Sequence, residues 1–148
     1  MKKTFFLCAL SISPLLMSAP AQAEETREAV RLNEQQHDWV LEYMRRMLET
    51  VSDMQGHLAT GNTEKVAEQA TSVRSFARNT KPRGIGKQFP AGFKSMARQM
   101  NASWTELATP TDDAAQISAT TQKLLNSCNA CHRVYYLPPV TPGGALIE

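Results

Sequence analysis

The sequence predicts an all-α fold, an up-down-up-down bundle of four helices. Four segments repeat apolar residues at three- and four-residue steps, the signature of one helix face. The connections between them are short, which makes consecutive helices antiparallel neighbours. No segment alternates apolar and polar residues as a half-buried strand does.

The chain opens on a secretory signal. Lys2 and Lys3 are its charged start, Phe5 to Met17 is mostly apolar but too short to span a bilayer, and Ala21-Gln22-Ala23 is a cleavage site. Cys8 lies inside the apolar run, follows Leu7 and does not read as a lipidated cysteine. Residues 1–23 are therefore expected to be removed, leaving 24–148 as one domain of 125 residues in an exported compartment, the periplasm. No other run is long enough to be a transmembrane helix. Processing also removes two of the 16 Lys and Arg and none of the 14 Asp and Glu, so the mature chain is formally neutral. The precursor pI near 8.5 is thus no sign of nucleic-acid binding.

The helical core is expected over residues 33–136, with 24–32 as a flexible lead-in or an extra helical turn. Helix one runs from about 33 to 60. Asn33 caps it, Gln36 completes a capping box, and Leu41, Met44, Met47 or Leu48, Val51, Met54 and Leu58 form its stripe. Gly61 suits the position just past its end. Helix two runs from about 63 to 80, capped by Asn62 or Thr63, with Val66, Ala70, Val73 and Phe76 inward. Residues 81–87, rich in Gly and base, read as a solvated connection that could also meet an acidic partner. Helix three, about 90 to 108, carries Phe93, Met96, Met100, Trp104 and Leu107. Helix four, about 112 to 136, carries Ile117, Thr121, Leu124, Cys128, Cys131 and Tyr135, with Asp112 and Asp113 at its start. Pro138-Pro139 ends it, and the tail reads as irregular.

The chemistry lies in Cys128-Asn129-Ala130-Cys131-His132. C-x-x-C-H is the attachment signature of haem c. Two thiols add across the two vinyl groups and become thioethers. Residues three apart share a helix face, so Cys128 and Cys131 reach one porphyrin edge, and His132, four after Cys128, is the proximal iron ligand. A redox dithiol would expect a βαβ pattern, which the sequence lacks. A zinc site would need a second pair of ligands, and beyond the motif the mature chain has only His37 and His57. With Cys8 gone, both remaining cysteines belong to the motif.

Helices of this number and length, with C-x-x-C-H near the end of the fourth, resemble the cytochrome c′ family and its low-spin relatives of the cytochrome c-556 type. The resemblance covers about 33 to 136. An ordinary cytochrome c would carry the motif near its N-terminus and a Met ligand downstream, whereas only 16 residues follow His132 and none is Met. The resemblance implies that the sixth iron position faces helix one, held by Met in low-spin members and left open by an apolar residue in high-spin ones. Matching the stripes puts this position at Met44. The match needs one extra residue before Gly61, which keeps Met47 as an alternative; His37 and His57 are others. High-spin members commonly carry a basic residue one turn before the distal position and an Arg four after the proximal His. Here those places hold Val40 and Tyr136. Family members often dimerise through helix one, so a homodimer is implied too.

The function expected is a monohaem one-electron carrier with His132–Met44 ligation, exchanging electrons with redox partner proteins, and not an enzyme. The alternative is an open-site binding protein for nitric oxide or carbon monoxide. A haem peroxidase ranks behind both, because no distal acid–base set is evident. No nucleotide-binding loop, trustworthy Ser-His-Asp set or glycosidase carboxylate pair is present.

Overall fold

A computed structural model describes residues 25–140. The expected signal segment 1–23 and the tail residues 141–148 lie outside the described residues. Of the described residues, 74% are helical and sheet is almost absent, so the all-α expectation holds. The order is β1 (Glu28–Ala29), α1 (Glu34–Ala59), α2 (Thr63–Thr80), α3 (Ile85–Gln88), α4 (Ala91–Leu107), α5 (Ala114–Val134) and β2 (Tyr135–Tyr136).

Local chemistry sets the helix ends. The Gln36 backbone N–H donates to Asn33 Oδ1 at 2.9 Å and the Asn33 N–H to Gln36 Oε1 at 3.4 Å, which is the capping box. Gly61, at φ 73°, turns the chain out of α1 in the left-handed region that costs glycine little. Asn62 then caps α2 and Asp113 caps α5. Pro90 stands just before α4, as its N-cap, where its fixed φ suits the start and its missing N–H is not needed.

The inward stripes match most of the apolar spacing, but Leu41, expected in the stripe of helix one, is exposed. Val51 and Met54 of α1, Val66, Ala70 and Val73 of α2, Trp104 and Leu107 of α4, and Ile117 and Leu124 of α5 form one buried cluster. At the choice left open in helix one, Met47 packs against that cluster and Leu48 is 68% exposed. α1 packs on α2, α2 on α4 and α4 on α5. The first turns of α1 meet the end of α2 through Trp39, whose Nε1–H donates to Thr80 Oγ1 at 2.9 Å. The backbones of α1 and α5 approach each other much less closely than the packed pairs do.

Three segments depart from the sequence reading. The described part of the lead-in is not helical but forms a short strand and packs into the core. Glu28 pairs with Tyr135 and Ala29 with Tyr136 in a parallel ladder, and the Val30 N–H extends it to the Tyr136 carbonyl at 2.9 Å. Burial drives this: Val30 and Leu32 join Val40, Ile85 and Tyr135 in a second apolar cluster. Helix four correspondingly ends at Val134, two residues early, because Tyr135 and Tyr136 serve that ladder. The 81–87 connection contains the start of α3, whose Ile85 is wholly buried and pins the loop to the second cluster. Gly84, at φ 78°, makes the turn that aims Ile85 inward.

Candidate functional site

Cys128, Cys131 and His132 sit on the last turns of α5, beyond its buried residues Ile117, Thr121 and Leu124. Here the stripe leaves the tight core. Both cysteines are free and half-buried, and His132 is exposed. They border a cleft between α1 and α5 composed of three adjoining cavities. One lies toward α4 and α2, takes in about 860 Å³ including its opening to solvent, and has Cys128, Cys131, His132, Met44, Phe93 and Met96 in its wall. The second lies between α1 and α5 directly, with Met44, Met47, Trp104, Cys128 and His132. The third lies under the β1–β2 ladder, with Arg27, Met44, His132 and Tyr136.

Met44 and His132 line all three. Met47 lines two of them, and Met96 and Met100 one. Met44 and Cys131 also pack against the same second apolar cluster, whereas Met47 packs against the first. Met54, 1% exposed, is core filler. Neither His37 nor His57 lines any of the three cavities. His37 instead has its Nδ1 3.6 Å from the Asp38 carboxylate. The carbonyl of His57 accepts from the Thr60 and Asn62 N–H groups at the end of α1.

The electrostatics separate this dithiol from a reactive one. Burial pushes the Cys128 thiol up from its ordinary value, and burial with the neighbouring Cys128 does the same to Cys131. Redox dithiols work through a lowered thiol pKa, the opposite direction. Among the described residues no group of three or more His, Cys, Asp or Glu is placed to hold a metal ion.

The surroundings fit a covalent haem. Two thiols one helical turn apart open on an apolar cleft that an imidazole and a thioether also line. Trp104 lines the same cleft, and its buried Nε1–H has no hydrogen-bond partner. A buried donor left unpaired costs about 1–3 kcal/mol, and an occupant carrying an acceptor would satisfy it. Arg45 and Arg46, adjacent on α1, both pair with Glu42, at 3.0 and 2.7 Å. Trp104 and Tyr135 pack as core residues, as their spacing suggested.

The sequence reading missed Arg27. Its Nη1 donates to the His132 carbonyl at 3.1 Å, its guanidinium lies 5.6 Å from the centre of the Tyr136 ring, and it pairs with Glu25. Arg27, just before β1, thus lies against Tyr136 at the end of the motif helix. Alternating Val30 and Leu32 were the only signal, in a run too short for a period to register. No protein-family model matches the chain, and no curated protein or solved structure matches it either.

Proposed function

We propose that this chain is a periplasmic monohaem c-type cytochrome of the cytochrome c′ and c-556 kind, a one-electron carrier built as a four-helix bundle of α1, α2, α4 and α5. The observation that carries the proposal is that Cys128, Cys131, His132 and Met44, drawn from opposite ends of the sequence, border one apolar cleft. Cys128 and Cys131 would hold the haem through two thioethers, and His132 and Met44, with Met47 as the competitor of Met44, would ligate its iron. When bound, the haem supplies a one-electron change at iron.

The rest is done by the chain. Apolar walls from Val40, Phe93 and Met96 keep water away from the metal and limit its dielectric surroundings. A thioether opposite an imidazole favours the ferrous state and raises the potential. The β1–β2 ladder and Arg27 hold the end of α5, and with it His132, in place. A carrier needs no proton-transfer set, and its partners are a donor and an acceptor protein. The homodimer through α1 belongs to the same proposal.

Visible spectra of the exported protein test the reading. Low-spin oxidised protein with a weak sulfur-to-iron band in the far red, and no ready binding of carbon monoxide when reduced, is expected. High-spin protein that binds carbon monoxide readily means an open site, and the gas-binding function replaces the carrier.

A further inference from the structure

The charges of this chain are unevenly distributed. Between Glu68 and Glu106 there are seven Lys and Arg and no Asp or Glu. Residues 24–67 and 107–148, with those two glutamates, therefore hold all 14 acids and only seven bases. The fold gathers the basic stretch at one end, because it comprises the last half of α2, the connection through α3, and the first half of α4. Arg78, Lys81, Arg83, Lys87, Lys94 and Arg98 are all exposed there, and none forms an ion pair among the described residues. The first turns of α1, held beside Thr80 by Trp39, bring Glu34 and Asp38 to the same end, and the segment around β1, packed with Ile85 in the second apolar cluster, adds Glu28 and Arg31 and the Glu25–Arg27 pair. This arc adjoins the cleft. Lys81 lines the same cavity as Cys128, Cys131 and His132, and Phe89 and Phe93, from the segment the arc spans, are in its wall.

We infer that this arc is the docking surface for the acidic face of a redox partner protein, an inference that rests on the carrier function proposed above. Positive charge around the mouth of the cleft attracts and orients an acidic partner there, and steering of this kind raises association rates by about 10–1,000-fold. It does so although the mature chain is formally neutral, since the local field is what an approaching partner meets. Two observations favour a protein over an anionic lipid surface. Electron exchange profits from docking only where the cleft opens. Among the described residues the exposed large apolar ones are Leu41, Leu48 and Val134, none of them in the arc, so it offers no wedge for a bilayer.

The test uses exported, pigmented full chain, reduced and then oxidised by hexacyanoferrate(III). One electron leaves the protein, hexacyanoferrate(II) forms, and no bond is made or broken. The wild type is compared with Lys81→Glu/Lys87→Glu in the arc and with Lys65→Glu/Lys123→Glu away from it, two variants of equal net charge. At about 10 mM salt, where charges act over about 30 Å, the arc variant is expected to react about tenfold more slowly than the wild type. The control is expected to stay within about threefold, and the wild-type rate to fall as salt is added. Pigmented protein whose two variants react alike, or whose wild-type rate ignores salt, overturns the docking surface alone. Wild type that sediments with phosphatidylglycerol vesicles at physiological salt, while the arc variant does not, overturns it in favour of a membrane. Protein recovered without covalent haem overturns the carrier function and this inference together.

Discussion

Met44 of α1 and His132 of α5 line the same three cavities, although the backbones carrying them do not pack closely. This relationship ranks the methionines. Met47, one turn along the same helix, reaches two of the cavities and rests on the other apolar cluster. In pigmented protein, Met44→Ala is expected to abolish the far-red sulfur band and to raise carbon monoxide affinity by about tenfold or more, about 1.4 kcal/mol. Met47→Ala should leave the band in place. The reverse pattern makes Met47 the ligand.

Arg27 joins the N-terminal strand to the motif helix. Arg27→Ala removes the hydrogen bond to the His132 carbonyl and the contact with the Tyr136 ring. Arg27 is exposed, so only a small loss of stability is expected in urea unfolding. Hydrogen exchange at the Val30 amide, which pairs with the Tyr136 carbonyl, should accelerate. Unchanged exchange there would show that the ladder holds without Arg27.

Gly92 is required by a close approach. A Cβ at this position would collide with the Tyr135 hydroxyl, and the ring of Tyr135 is buried and set edge-on to Phe93 at 5.5 Å. Gly92→Ala forces the ring to shift and is expected to cost about 1–3 kcal/mol. Thermal unfolding measures it. Gly92→Ala/Tyr135→Phe, which removes the colliding oxygen, should recover part of the loss.

Much of the fold follows from features a linear reading can use. Asn33 with Gln36, Asn62 and Asp113 are caps with a local mechanism, and the buried residues of the four long helices repeat at helical steps. The motif needs only spacing. The β1–β2 ladder was not legible, because two-residue strands have no period and form only where Val30 and Leu32 find Tyr135 and Ile85. Ile85 was likewise hidden in a polar, Gly-rich run, where one apolar residue carries no pattern. Arg27 acts through a contact between the two ends of the described chain, which no local signal announces.

The raised thiol pKa values have a chemical consequence. In chain produced without haem, Cys128 and Cys131 stay protonated at and above neutral pH, because burial moves both up from the ordinary value of 9.0. Alkylation by iodoacetamide at about pH 8 should therefore be slower than that of an unperturbed thiol, and speed up after unfolding in urea. Fast alkylation of the folded chain at neutral pH would mark a reactive dithiol instead.

The central claim is covalent haem at Cys128 and Cys131, and the mass of exported protein after denaturation and acid–acetone extraction tests it most directly. One haem is expected to remain on a chain beginning at Glu24, and haem to extract freely from Cys128→Ala/Cys131→Ala. Wild-type protein that loses all its colour to the solvent, or whose mass is that of the polypeptide alone, contradicts it.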